Sequence, residues 1–116
     1  MQERGYKKLI VWQKAMDLVV AVYKLTNKFP KEEMFGLVSQ MRRAVISIPS
    51  NIAEGSRRKT SKDTEHFLTI SFGSGSELET QIEASKRLFY GIPTDYVPVD
   101  HLLEEIMKML NKMITY

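Results

Sequence analysis

Apolar residues recur every three or four positions along almost the whole chain, and nowhere do they alternate over a convincing stretch, so the pattern predicts helices and no sheet. Leu9, Trp12, Met16, Val19, Tyr23 and Thr26 form the first stripe, on a helix from about Leu9 to Lys28 that ends before Phe29-Pro30, because the residue before a proline is pushed out of helical geometry. A second helix is expected to open at Lys31-Glu32-Glu33 and to carry Met34, Leu37 or Val38, Met41, Val45, Ile48 and Ile52 to about Arg57. Thr60 or Ser61 suits the cap of a third helix, whose face is Phe67, Leu68, Ser71, Gly75, Leu78, Ile82, Ser85 and Phe89. Gly91 to Asp95 reads as a turn. Beyond it, Val99, Leu102, Leu103, Ile106, Met109 or Leu110, and Met113 make a fourth stripe, with His101 placed at the start of that helix.

Four amphipathic helices joined by short turns predict an all-α, antiparallel up-down-up-down four-helix bundle, in one domain spanning residues 1–116. One stretch resists ordinary helix: SIPSNIAEGSRRK, from Ser47 to Lys59. The second stripe runs straight through Pro49, yet an interior proline has no amide donor and clashes with the carbonyl four residues back, that of Val45, at a cost of about 3 kcal/mol. Helix two is therefore expected to kink at Pro49, with Ser47, Ser50 and Asn51 offering hydrogen bonds to freed carbonyls or to a water held in the kink. Gly73 and Gly75 lie inside helix three, where each glycine costs about 1 kcal/mol relative to alanine. Close approach of a neighbouring backbone is the usual reason. Equal counting back from the turn sets Ser47 and Pro49 near Ser71 and Gly73, so kink and glycines are expected to form one close contact, with Trp12 at a similar level.

Composition bounds the chemistry. The chain of 116 residues holds no cysteine, which excludes disulfides and thiolate metal sites and suits a reducing compartment. The opening MQERGYKK lacks the apolar core of a secretory signal, and no apolar run is long enough to span a bilayer, so a soluble cytoplasmic protein with no membrane partner is expected. Seventeen Lys and Arg against fourteen Asp and Glu give a net charge of +3, which is mild for a nucleic-acid binder. Distribution matters more than the total. Arg57, Arg58, Lys59 and Lys62 are clustered, with Arg42 and Arg43 earlier on the same helix, whereas Glu77, Glu79 and Glu83, and then Glu104 and Glu105, are acidic stretches. The basic residues are candidates for phosphate contacts, with an ordinary solvated turn as the competing account.

No catalytic, metal or cofactor site is expected. A bundle di-iron centre needs Glu-x-x-His pairs, and neither His66 nor His101 completes one; a charged helix face accounts for Glu79 and Glu83. The GSGS run from Gly73 lies in a helix and lacks the lysine of a phosphate loop. Asn51 and Glu54 read either as a shared recognition site or as partners that satisfy the kink, and the second account is the simpler. Trp12 reads as core or interface, and only secondarily as a base-stacking residue. Ile10, Val11, Val20 and Val22 on helix one, and Ile70 and Phe72 on helix three, exceed what one core needs, so these helices are expected to contribute oligomer contacts.

SIPSNIAEG, together with LIVWQKAMDLVVAVYKLT from Leu9, FGLVSQMRRAV from Phe35 and GSGSELETQIEASKRL from Gly73, resembles the bacterial four-helix-bundle family known for proteins encoded in intervening sequences of 23S rRNA genes. The resemblance implies a cytoplasmic bundle assembling as a ring-shaped homopentamer. It is similar also to the accessory protein of diversity-generating retroelements, which implies a role beside RNA or DNA and a protein partner. A protein-only assembly module is the alternative expectation.

Overall fold

The computed structural model describes residues 5–115, and among them it contains helices and no strand. Four long helices follow one another: α1 (Ile10–Thr26), α2 (Leu37–Ser56), α3 (Ser61–Arg87) and α4 (Val97–Thr115). Three short 3-10 turns precede α1, α2 and α4, at Tyr6–Lys8, Lys31–Glu33 and Pro93–Tyr96. The molecule is elongated, 44 × 26 × 22 Å. Each helix packs on the next, and α4 returns to α1.

Cross-helix partners pair rising numbers on one helix with falling numbers on its neighbour. Along α2 and α3 the hydroxyl of Thr64 meets the Gly55 carbonyl, Ser71 meets Ile48, and Ser85 meets Met41. Between α1 and α4, Lys14 reaches Glu105, and just beyond the end of α1 and before the start of α4, Lys28 reaches Asp95. This is the opposed sense of a bundle whose sequential helices are joined by short turns.

The starts of the helices follow their local chemistry. Thr60 caps α3, its hydroxyl accepting the Asp63 amide at 3.1 Å. Lys31, Glu32 and Glu33 form a separate 3-10 turn instead of the first turn of α2, because Gly36, at φ −116° and ψ −109°, leaves helical geometry before the helix begins. The Glu33 carboxylate nevertheless serves α2, accepting the Leu37 amide at 3.2 Å. α4 begins at Val97, so His101 sits inside it and not at its start.

Leu18, Met41, Ile48, Ile52, Leu78, Ile106 and Leu110 are fully buried at the centre. The faces of α2, α3 and α4 agree broadly with the apolar stripes, but α1 is turned. Val11, Ala15, Leu18, Val22 and Leu25 face the core, while Met16 and Tyr23 are exposed and Trp12 and Val19 are half-buried. Val11, at 2% exposure, therefore cannot be an oligomer contact, whereas Val20 at 54% remains available. The stripe on α3 also stops short. Phe89 lies beyond the helix end with φ of 61°, its ring exposed, and the Tyr90 amide returns to the Ser85 carbonyl at 3.1 Å to close the helix.

α2 continues through Pro49 without interruption. Ser50 donates to the Ile46 carbonyl at 2.8 Å and Asn51 to the Ser47 carbonyl at 2.9 Å. The flanking side chains thus bind the carbonyls of the two residues that follow Val45. Serines, not glycines, make the close joint with α3: Ser71 donates to the Ile48 carbonyl at 2.8 Å, and the Ser47 and Ser74 hydroxyls lie 2.7 Å apart. The expected role of Gly73 is corrected, because a Cβ there would meet open space. Gly75 instead faces α4, where a Cβ would collide with the Met107 side chain.

Candidate nucleic-acid interface

The two ends of the bundle differ in chemistry. At one end lie the α1–α2 and α3–α4 connections, linked by the Phe29–Tyr90 ring contact, with centroids 5.3 Å apart, and by the Lys28–Asp95 ion pair. At the other lie the α2–α3 turn and the start of α1. There Lys7, Lys8, Arg57, Arg58, Lys59 and Lys62 lie, with Glu54, Asp63 and Glu65 among them.

The α2–α3 turn is tight because Gly55 lets two backbones approach. A Cβ on Gly55 would sit 3.1 Å from both the Thr64 carbonyl oxygen and the Phe67 Cβ. The Thr64 hydroxyl closes this approach by donating to the Gly55 carbonyl at 2.9 Å. Arg57, Arg58, Lys59 and Lys62 all emerge exposed from this corner. Arg58 is paired with Glu54 one helical turn earlier, and its guanidinium lies 4.5 Å from the Phe67 ring centroid. Arg57 stands over the Tyr6 ring at 5.2 Å.

That last contact brings in residues the sequence reading missed. The 3-10 turn Tyr6–Lys8 folds against the end of α2, and it carries Lys7 and Lys8, both exposed, to the same end as the basic turn. The two segments meet across some fifty positions of sequence, and apolar periodicity has no means of showing it. Tyr6 in turn meets Trp12 edge to face, with centroids 5.4 Å apart. His66 stands in the same relation to Phe67, at 5.1 Å.

Arg42 and Arg43 do not belong to this cluster. Fifteen residues of α2 separate Arg42 from Arg57, about 22 Å at the helical rise. Arg42 is a clamp between α2 and the end of α1: it donates to the Thr26 hydroxyl and to the Asn27 side-chain carbonyl, each at 3.0 Å, with its guanidinium over the Tyr23 ring. Arg43 is exposed beside Tyr23, Phe35 and Ile46 in a shallow groove between α1 and α2.

The remaining candidates are spread out. Asn51 is tied to Ser47 by both its carbonyl and its hydroxyl, the latter at 3.0 Å, and Glu54 is tied to Arg58. Ile70 is exposed, and Phe72 is half-buried along the α3–α4 groove, where Glu79, Glu83 and Glu104 line the rim. The acidic stretches are largely engaged in ion pairs: Glu83 with Arg87, Glu104 with Lys108, and Glu105 with Lys14. Among the described residues, no group of three or more His, Cys, Asp or Glu side chains is arranged to hold a metal ion. None of the described helices is long and apolar enough to cross a membrane.

The helices define a small four-helix bundle, with Lys7, Lys8, Arg57, Arg58, Lys59 and Lys62 exposed at one end. From residue 7 to residue 112 the chain matches the family described as 23S rRNA-intervening sequence protein, and it belongs to that family. Among solved structures it is similar to a protein of unknown function from the S23 ribosomal protein family of Bacteroides thetaiotaomicron. The TM-score is 0.82 at 24% identity, over 92% of this chain and 100% of that one. At that identity the likeness concerns the fold. No curated protein matches the chain.

Proposed function

We propose that this bundle is a non-enzymatic, self-assembling scaffold that associates with nucleic acid through phosphate contacts at its basic end. The observation that carries this reading is the meeting of Lys7 and Lys8 with Arg57, Arg58, Lys59 and Lys62, from two segments distant in sequence. Phosphate neutralisation by Lys and Arg supplies the sequence-independent part of nucleic-acid affinity, and it weakens steeply with salt. A modest net charge suffices when six cations stand close together. Assembly multiplies the effect, because copies in one ring present several such ends to one strand. The pentamer implied by the family resemblance is the assembly we adopt. The family's description, 23S rRNA-intervening sequence protein, supports a ribonucleoprotein setting.

The competing reading is a protein-only assembly module, favoured by the apolar residues at the opposite end: Phe35 is 96% exposed and Phe89 88%. Binding to RNA and to single- and double-stranded DNA, measured across salt, separates the two. Salt-sensitive binding that falls in an Arg57/Arg58/Lys59 triple-alanine variant supports the scaffold on nucleic acid. Absence of such binding, or its survival in the variant, leaves the protein-only module.

A further inference from the structure

The basic end carries aromatic rings as well as cations, and the two are paired. The Arg57 guanidinium lies 5.2 Å from the Tyr6 ring, which stands against Trp12, and Arg58 lies 4.5 Å from Phe67. Tyr6, Trp12 and Phe67 are each partly exposed, and none is deep core. Cations alone would serve any nucleic acid. Rings add binding only where bases are unstacked, because the base faces of a duplex are already covered by their neighbours. A base stacked at such a ring gains from the aromatic surface and from the cation beside it.

We propose that this end is a single-strand site, in which Lys7, Lys8, Lys59 and Lys62 follow the phosphates while the Tyr6–Arg57 pair, backed by Trp12, stacks an unpaired base. The inference rests on the nucleic-acid reading above and narrows it to one class of ligand. The geometry also distributes the roles. Tyr6 and Arg57 come from different segments, so the stacking surface exists only when the turn Tyr6–Lys8 is docked on α2. Lysines on either side of that contact extend the patch along both the α1 start and the α2–α3 turn.

Trp12 is the sole tryptophan of the chain, so its emission reports on the site directly. The experiment titrates the full chain with oligothymidylate, with oligouridylate and with a mixed-sequence duplex at one salt concentration, following Trp12 fluorescence and, separately, anisotropy of labelled nucleic acid. The expected result is a change in Trp12 emission with the single strands and a preference for them over duplex of about tenfold, the scale of one stacked base. Tyr6→Ala should abolish the preference, so that single strand and duplex bind alike through the phosphate contacts they share, while Tyr6→Phe retains it. Thermal melts of both variants check that the bundle is intact, and Arg57→Lys, which keeps charge and loses the plane, provides a second route to the same loss. Equal affinity for duplex and single strand, or a preference indifferent to Tyr6→Ala and Arg57→Lys, overturns the single-strand site while leaving the phosphate-binding end standing. Binding of none of the three probes overturns both.

Discussion

The Ser71 hydroxyl donates to the carbonyl of Ile48 at 2.8 Å, tying α3 to α2 at the residue before Pro49. Both residues are fully buried. A buried hydrogen bond of this kind contributes about 1 kcal/mol net, so Ser71→Ala is expected to lower unfolding stability by about that amount. Ser71→Val adds bulk at the same close joint and should cost more, about 2 kcal/mol. Urea titration of the two variants gives the order; a valine variant as stable as the alanine one would show that the joint is loose.

The two glycines with opposite surroundings predict opposite signs. Gly73 has open space where a Cβ would go, so Gly73→Ala should stabilise α3 by about 1 kcal/mol. At Gly55 the added methyl would press on the Thr64 carbonyl and on Phe67, and both belong to the first turns of α3. Gly55→Ala should lose about 1 kcal/mol net, because the strain of close backbone contact exceeds the helix-propensity gain. Thermal midpoints that move in the same direction for both would refute this account of the turn.

What could be read from the sequence divides along physical lines. The stripes of α2 and α4 were legible because polar or charged residues occupy most of their outer faces, leaving one main apolar direction. On α1 nearly every side carries a large apolar residue, so period alone did not choose between the Trp12–Met16–Tyr23 face and the Val11–Leu18–Val22 face. Ala15, small and completely buried, marks the true inner face, but its size gave it little weight in the pattern. The register of α2 against α3 followed from the short turn, yet the reading credited Gly73 with a contact that Ser71 and Ser74 make by hydrogen bonds. The basic end was half legible: Arg57, Arg58, Lys59 and Lys62 are close in sequence, whereas Lys7 and Lys8 reach them by long-range packing that includes the Tyr6–Arg57 contact.

Tyr90 and Glu33 give the bundle a pH signature. The Tyr90 hydroxyl donates to the Glu33 carboxylate at 2.7 Å, and this bond, followed by that from the Leu37 amide, holds Glu33 below the ordinary glutamate value. The stability Glu33 contributes is present above that ordinary value and is lost as pH falls through the lowered one. Tyr90 is raised, first by the same bond and then by burial and the charges of Glu33 and Glu32, so its contribution is full below the ordinary tyrosine range and fades as pH rises through the folded value. Glu33→Gln should therefore be less stable than the parent at neutral pH, and the gap should narrow in acid. Asp95, lowered by Lys28 and by the Ile92 amide, keeps an acid dependence of its own in that variant. A gap that stays constant from neutral pH into strong acid would rule out the charged form of Glu33 as its source.

Assembly should depend on exposed positions and not on Val11. Val20 and Ile70 are exposed on α1 and α3, Phe72 is half-buried beside the α3–α4 groove, and Phe35 is bare at the apolar end. Val20→Glu, Ile70→Glu and Phe72→Glu are each expected to lower the sedimentation coefficient without loss of helical circular dichroism if that position is covered by a neighbouring copy. Val11→Glu should unfold the bundle instead, since it places a charge in the core. An unchanged sedimentation coefficient for all three glutamate variants would remove α1 and α3 from the interface.

Arg42 and Lys59 separate a cation that holds the fold from one that faces a ligand. Arg42 donates to Thr26 and Asn27 across the α1–α2 connection and covers the Tyr23 ring. Its loss in Arg42→Ala removes two side-chain hydrogen bonds and the packing of a long stem, for an expected cost of about 1–2 kcal/mol. The variant should bind nucleic acid with the parent's affinity and salt slope at temperatures where it is folded. Lys59, exposed on the α2–α3 turn, should behave in the opposite way: Lys59→Ala leaves the melting midpoint within about a degree, since exposed surface substitutions change stability little, while the salt dependence of binding becomes shallower by about one phosphate contact. Measuring both variants by thermal melt and by salt-dependent anisotropy crosses the two properties. If Arg42→Ala reduces the salt slope as much as Lys59→Ala does, phosphate contacts extend along α2 and are not confined to the basic end.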